Sequence, residues 1–151
     1  MGFVSKEHTS SNYKTRKSAQ MNKKKLFTSL NELCRKLDDT YCINCGGCCF
    51  VAAVIVEQLE LHNIPYSVIH YDISGCHYAI RVSDRIINRS DYRKCEIYEE
   101  YYPTSKDLYN NYYNNNWNMT YDSSNNSIVK RKIKALFNGN SIRRRSTHSS
   151  S

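Results

Sequence analysis

The chain has 151 residues, of which 40% are hydrophobic and 24% charged, values that fit one soluble globular domain with flanking tails. No run of about 18 apolar residues occurs, which argues against a membrane-spanning helix. The N-terminus lacks the apolar core of a secretory signal, so we expect an intracellular protein whose thiols stay reduced. The net charge of +8 arises in the flanks. These basic tails are either solubilising or make weak contacts with nucleic acid or an acidic surface.

The first predicted element is an amphipathic helix over residues 19–38, because apolar residues recur there at three- and four-residue steps. The repeat consists of Leu26, Leu30, Leu33 and Leu37. Residues 1–19 are rich in Ser, Thr and Lys without such a repeat, so we expect a disordered basic tail. The predicted domain therefore spans residues 20–115, and its end follows from the composition of the C-terminal part described below.

A second helix is predicted over residues 48–62, after a loop that contains two glycines. Residues 50–56 are apolar on all sides, which is typical of a buried helix rather than a surface helix. Asn63 suits a helix C-terminus, and Pro65 prevents the helix from continuing. We therefore expect this helix to lie at the centre of the domain.

The following segments predict a small antiparallel sheet. Residues 66–72 are rich in Tyr, Val and Ile, and residues 77–82 and 85–88 are typical of a hairpin with a two-residue turn. Ser83 and Asp84 form that turn. Residues 92–102 favour another strand. The predicted fold class is α+β, with the buried helix packed on the sheet.

The C-terminal part has a different composition. Thr104 or Ser105 is expected to cap a short helix. Residues 116–151 are predicted to lie outside the domain, as an Asn-rich linker followed by a basic disordered tail. Within this part, residues 128–137 have the pattern of a short amphipathic helix.

Cys48 stands at the predicted start of the buried helix, directly after Gly46 and Gly47. The N–H groups and macrodipole of a helix N-terminus favour a thiolate, and the same N–H groups can hold an oxyanion. Small glycines allow a substrate backbone to approach closely. His77, which opens a predicted strand, can act as a base and then as an acid. Alternatively, Cys48 is a buried structural thiol and His77 an ordinary strand histidine.

The register of the hairpin selects the residue that orients His77. A two-residue turn pairs Val82 with Arg85 and makes His77 and Asn88 diagonal neighbours on one face, where an imidazole and a carboxamide can meet. A three-residue turn would shift the register by one and bring Asp91 opposite His77. Asn88 is therefore the first candidate and Asp91 the second. The alternative for Asn88 is a polar residue that merely lies near a turn.

Residues 41–92 resemble the papain-like cysteine peptidase superfamily, in particular its transglutaminase-like branch. The stretch "CGGCC" is similar to the papain-type signature Cys-Gly-x-Cys-Trp, with Cys48 in the position of the nucleophile and Cys49 in that of the tryptophan. The order of a Gly-x-Cys helix, an Ile-Pro turn, a histidine-led strand and a second strand with a polar end resembles the transglutaminase-like arrangement. Asn88 ends that strand as in papain, whereas transglutaminases have Asp there.

The resemblance implies a papain-like thiol hydrolase or acyltransferase that acts on a peptide or amide bond, with a peptide or protein substrate and no cofactor. The implied catalytic triad is Cys48, His77 and Asn88. Cys42 occupies the position of the papain oxyanion glutamine, six residues before the nucleophile. The groups that could support an oxyanion are therefore Asn44 and the main chain at Gly47 and Cys48. Cys49 is expected in the core, although it remains a second candidate for the nucleophile.

Three other interpretations are open. Four thiolates could bind zinc, and the candidate ligands are Cys42, Cys45, Cys48 and Cys76. Cys45 and Cys48 also form a Cys-x-x-Cys pair of the kind found in redox proteins. Finally, the chain could be a non-enzymatic binding or structural protein with the same fold. Its abundance of Asn, Lys, Ile and Tyr is typical of AT-rich genomes, viral ones included.

Overall fold

The structure, a computed structural model, describes residues 6–72, 77–89, 96–100, 104–115 and 120–141. Its helices are α1 (Lys6–Tyr41), α2 (Cys48–Leu61), α3 (Ser105–Asn114) and α4 (Asn126–Ser141), the last preceded by a single 3-10 turn. Its strands are β1 (Ser67–Asp72), β2 (His77–Val82), β3 (Arg85–Ile87) and β4 (Glu96–Glu100). The predicted α+β class is confirmed, and the papain-like topology remains an expectation.

Helix α1 contains the predicted amphipathic stripe and is longer than predicted. Leu26, Leu30 and Leu37 are buried in the core together with Phe27 and Cys34, whereas Leu33 is half-buried and the polar positions between them are half-buried or exposed. The helix begins at Lys6, within the segment predicted to be a disordered tail. No Gly or Pro lies between Gly2 and Gly46, so nothing in the local sequence stops the helix in the N-terminal direction.

Helix α2 is the buried centre of the fold, as predicted. Every residue from the first turn to Val56 is buried, and so are Gln58 and Leu59. The helix ends one residue before the predicted end, and Asn63 follows in a left-handed conformation with φ 54°. Helices α3 and α4 and strand β2 all pack against α2. Helix α2 is therefore in contact with both of the C-terminal helices and with the sheet.

The four strands form one antiparallel sheet in the order β3-β2-β1-β4. The predicted two-residue turn is present, because Val82 pairs with Arg85 and Ile80 with Ile87. Ser83, the first turn residue, has a left-handed φ of 58°. Strand β4 pairs with β1 on the opposite side from the hairpin. The hairpin consequently forms one edge of the sheet, with β3 outermost.

The C-terminal helices belong to the same hydrophobic core, which differs from the predicted domain end at residue 115. The Thr104 side chain caps α3 by accepting from the Asp107 N–H. In α4, Val129, Ile133 and Phe137 are buried in the cluster that also contains α2. Their spacing of four residues forms one apolar stripe. The core therefore extends to residue 137, beyond the Asn-rich stretch.

The sequence also predicts basic flanking tails and the absence of a membrane-spanning helix. The basic residues 130–134 belong to helix α4, a packed element, whereas the arginines at 143–145 lie outside the described residues. Among the helices of the described ranges, none is both long and apolar enough to cross a bilayer. The predicted contact of the basic tails with nucleic acid or an acidic surface remains a prediction.

Candidate active site

Cys48 is the first residue of α2, so its thiol lies at the positive end of a helix that is buried throughout its first nine residues. It is reduced and 5% exposed. Gly47 is the N-cap residue, and no Asp or Glu lies in the first turn. A carboxylate there would oppose the development of negative charge on the sulfur or on a bound oxyanion. The charge environment within the helix therefore suits a nucleophilic thiol.

The adjacent thiol of Cys49 lies in a different environment. Its Sγ is 3.5 Å from the Leu108 carbonyl oxygen, to which it donates, and 3.5 Å from Nδ2 of Asn111. Burial is the main reason why the pKa of Cys49 is raised to about 12. Cys49 is only 1% exposed, and its raised pKa keeps the thiol protonated at neutral pH. Cys49 is therefore a core residue, as predicted. Between the two neighbouring cysteines, only Cys48 keeps the role of candidate nucleophile.

Gly47 makes a close approach possible, but the approaching group belongs to the chain itself. A Cβ atom at Gly47 would lie 2.7 Å from Cδ2 of Tyr121 and 2.9 Å from the Ile43 carbonyl oxygen. The N–H of Gly47 already donates to that same carbonyl. The prediction that Gly47 leaves space for a substrate or supports an oxyanion is therefore corrected. The glycine accommodates a buried aromatic ring instead.

Tyr121 reaches this position through main-chain hydrogen bonds of the Asn-rich stretch. The N–H groups of Thr120 and Tyr121 both donate to the Cys45 carbonyl oxygen at 3.1 Å. The Tyr121 hydroxyl lies 2.6 Å from Oδ1 of Asn126, at the start of α4. Sequence reasoning missed this residue, because Tyr121 is one of many tyrosines in a segment without periodicity.

His77 is the first residue of β2, and its imidazole is buried with an exposure of 4%. Its Nε2 lies 2.7 Å from the main-chain carbonyl oxygen of Asn88. A carbonyl only accepts hydrogen bonds, so Nε2 of the neutral ring carries the proton and Nδ1 is the basic nitrogen. Burial lowers the pKa of His77, while the bond to Asn88 and the charge of Asp38 partly oppose this shift. At neutral pH the ring is a neutral base.

Asn88 orients His77 through its main chain, which corrects the prediction that its carboxamide does so. The hairpin register is the predicted one, but the ladder ends at Ile87 and Asn88 has a left-handed φ of 61°. Asparagine tolerates this conformation better than most residues. The backbone there leaves the strand geometry on which the diagonal pairing of His77 and Asn88 was based. The carbonyl, rather than the side chain, is the group that meets the imidazole.

The Asn88 side chain instead pairs with Asn44 in the loop before α2. Each carboxamide donates to the other, with Nδ2 to Oδ1 distances of 3.2 and 3.0 Å. The Asn44 N–H donates to Oδ1 of Asp38 at 2.9 Å. The predicted oxyanion role of Asn44 is therefore replaced by a contact with Asn88. Because Asn44 precedes Cys48 by four residues, this pair connects the loop before the nucleophile to the strand end beside His77.

A further residue of this cluster was missed by sequence reasoning. Asn31 of α1 accepts from the Asn88 N–H at 2.9 Å and donates to the Ile86 carbonyl at 3.1 Å. A signal was available, since Asn31 follows Phe27 by four residues and precedes Cys34 by three, and both of these are buried. A polar residue within a buried stripe usually has a specific partner.

Asp91, the second candidate for orienting His77, lies outside the described residues. The three-residue turn that would bring it opposite His77 is not formed, because Val82 pairs with Arg85 across a two-residue turn. The observed register therefore favours Asn88 over Asp91.

The cysteines before α2 differ from the expectation that the thiols stay reduced. Cys42 and Cys45 form a disulfide, made possible by a tight turn in which Cys42 has a φ of 57° and the two Cα atoms are 5.5 Å apart. Disulfide sulfurs are not thiolates. Neither the predicted zinc set nor the redox pair of Cys45 with Cys48 can form in this state. Cys76, the fourth ligand of that set, lies outside the described residues.

No group of three His, Cys, Asp or Glu side chains arranged to bind an ion occurs within the ranges that the structure describes. Comparisons of the chain with protein-family models, with curated proteins and with solved structures gave no significant match.

Proposed function

We propose that this chain is a papain-like thiol hydrolase or acyltransferase that cleaves or transfers a peptide or amide bond. One observation carries the proposal: the buried imidazole of His77 has Nε2 at 2.7 Å from the Asn88 carbonyl. This bond leaves Nδ1 as the base on a strand that packs against α2. The first residue of α2 is Cys48. A defined tautomer and a thiol at a helix N-terminus are the two components that such chemistry requires.

In the proposed reaction, Nδ1 of His77 takes the proton of the Cys48 thiol and the thiolate attacks the substrate carbonyl carbon. N–H groups of the first turn of α2 stabilise the oxyanion of the tetrahedral intermediate. The imidazolium then protonates the leaving amine, the C–N bond breaks and a thioester remains on Cys48. Attack by water regenerates the enzyme in a hydrolase, and attack by a second amine does so in an acyltransferase.

A second candidate is the non-enzymatic protein with the same fold, and a specific observation favours it. Cys48 is 5% exposed, and the ring of Tyr121 covers the neighbouring Gly47. A substrate needs access to the sulfur and to the carbonyl-binding N–H groups. A chain that only preserved the fold would have no need to leave this helix start open.

Alkylation of the native protein by iodoacetamide without added reductant separates these two functions. The enzyme proposal predicts fast modification of Cys48 alone below pH 7, detected by mass spectrometry of tryptic peptides. His77→Gln should slow this modification about 100-fold or more, since the base contributes at least that factor. Cys49→Ser is the matched control, because it removes the adjacent thiol and should leave the rate unchanged.

Slow alkylation distributed over several cysteines, or a rate that His77→Gln leaves unchanged, would contradict the enzyme proposal. Circular dichroism of each variant confirms that the comparison is made between folded proteins. If Cys48 reacts in the predicted way, incubation of the protein with peptide libraries then distinguishes hydrolysis from amine transfer.

A further inference from the structure

We propose that Asn31 and Asn44 are positioning residues for His77 and that they act through the main chain of Asn88. The inference rests on the function proposed above and goes beyond it, because it places the support of the base in helix α1 and in the loop before α2. In the triad implied by the resemblance, a side-chain amide orients the imidazole. Here that function belongs to a peptide carbonyl, and other side chains determine where this carbonyl points.

Strand β3, which ends just before Asn88, lies at the edge of the sheet. Within the part of the chain that the structure describes, β3 is outermost and has a neighbouring strand, β2, on one side only. Asn31 takes the place of such a strand on the other side, since its carboxamide donates to the Ile86 carbonyl and accepts from the Asn88 N–H. An asparagine side chain has the donor and acceptor of a peptide unit, which makes this double contact possible. The N-terminal side of the Asn88 residue is thereby held by α1.

The side chain of Asn88 is held by the loop before α2. Its carboxamide makes two hydrogen bonds with Asn44, one in each direction. Asn44 is itself held by Asp38, the residue near the end of α1 whose charge partly opposes the burial-driven lowering of the His77 pKa. Asn88 is therefore contacted at its N–H and at its side chain by groups that belong to α1 and to the loop that follows it.

These contacts act on the imidazole of His77 through the backbone conformation of Asn88. The left-handed φ of 61° at Asn88 is unfavourable for a residue with a Cβ atom and persists where surrounding contacts determine it. The direction of a carbonyl follows from the dihedral angles of its residue. By stabilising this conformation, Asn31 and Asn44 keep the Asn88 oxygen 2.7 Å from Nε2 of His77. The same loop leads into Cys48, so the base and the nucleophile share one support.

The experiment measures the tautomer of His77 and the alkylation rate of Cys48 in the full chain. Long-range proton–nitrogen correlation spectra report which ring nitrogen carries the proton, and the His77→Gln spectrum identifies the signals. In the wild type we expect a single Nε2–H tautomer. In Asn31→Ala and Asn44→Ala we expect a mixture of tautomers and a rate about ten- to hundredfold lower, as a small misplacement of a catalytic group produces.

Asn63→Ala is the matched control. Asn63 also has a left-handed φ, of 54°, but it is exposed and lies in the turn after α2. This variant removes an asparagine side chain away from the cluster, at a backbone position of the same kind as that of Asn88, and should leave the tautomer and the rate unchanged. Asn31→Asp keeps the acceptor for the Asn88 N–H, so it should keep the single tautomer. This variant can be measured even if Asn31→Ala does not fold.

Two substitutions of Asn88 separate a main-chain role from a side-chain role. Asn88→Gly permits the left-handed conformation and keeps the carbonyl and the Asn31 contact, so its tautomer population should lie between those of the wild type and Asn88→Ala. If the Gly and Ala variants behave alike, the main-chain role is wrong. A single tautomer in folded Asn31→Ala or in folded Asn44→Ala overturns the positioning role, and so does a mixture of tautomers in Asn31→Asp. A wild type without His77-dependent alkylation refutes the enzyme proposal alone, since the tautomer measurement still decides the positioning of His77.

Discussion

The two ends of the β2–β3 hairpin each contain a non-glycine residue with a left-handed backbone, Ser83 with φ 58° and Asn88 with φ 61°. Ser83 is exposed at the turn, whereas Asn88 is buried at the open end. Local sequence suffices for the turn, because a two-residue connection between strands requires such a conformation. At the open end no turn demands it, and contacts with Asn31 and Asn44 stabilise it. Two similar backbone angles therefore have different origins.

The largest expected effect tests the buried end directly. Asn88→Ala leaves Asn44 without its carboxamide partner and puts an unfavourable residue at a left-handed position. We expect a loss of about 2–4 kcal/mol in the free energy of unfolding, measured by urea denaturation. Asn88→Gly should lose less, because glycine adopts this backbone readily. Equal losses in the two variants would show that the backbone conformation contributes nothing.

Gly47 and Gly139 extend the contrast between positions held by tertiary contacts and positions open to solvent. Gly47→Ala forces a Cβ atom to within 2.7 Å of the Tyr121 ring and 2.9 Å of the Ile43 carbonyl. We expect a destabilisation of about 1–3 kcal/mol, as in other overpacked cores. Gly139 is exposed in helix α4, and a Cβ atom there meets nothing within 4 Å. Gly139→Ala should stabilise the protein by about 0.5–1 kcal/mol. Similar thermal shifts for the two variants would contradict the packing of Tyr121 on Gly47.

The pH dependence of stability tests the buried state of His77. Its pKa is lower in the folded than in the unfolded protein, chiefly because of burial, so the unfolded chain binds the proton more tightly. The contribution of His77 is complete above the unfolded pKa of about 6.5 and is lost as the pH falls towards the folded pKa. Stability should fall by at most about 1.4 kcal/mol per pH unit from this group. His77→Gln should flatten the profile between pH 7.5 and 5.5, and an unchanged profile in this variant would contradict the burial of a neutral His77.

The smallest effect is expected at the turn. Ser83→Gly places the residue best suited to a positive φ at an exposed site. We expect a stabilisation of no more than about 1 kcal/mol, measured under the same denaturant conditions as Asn88→Gly. A loss of stability at Ser83 would mean that the serine side chain contributes at the turn. The contrast between the two hairpin ends would then be smaller than their environments indicate.

Much of the fold could be predicted because its signals are local. The apolar run after Cys49 predicts a buried helix, and Asn63 with Pro65 predicts its end, both as observed. The two-residue turn sets the register that places Asn88 near His77. The extension of the core to Phe137 was not predicted, because the Asn-rich stretch before α4 has the composition of a linker. Helix α4 nevertheless packs in the same hydrophobic cluster as α2.

The orientation of the polar groups in the candidate site depends on contacts between residues that are distant in sequence. From the sequence alone, Cys48 at a helix start, His77 at a strand start and Asn88 at the end of the hairpin were identified as neighbours in a possible site. The group through which Asn88 meets His77, and the Tyr121 ring on Gly47, depend on tertiary structure. The contacts of Asn88 with Asn31 and Asn44 join residues 57 and 44 positions apart. No local propensity determines which peptide group faces such distant partners. The sequence pattern therefore determines which elements form, and long-range hydrogen bonds decide how their polar atoms are directed.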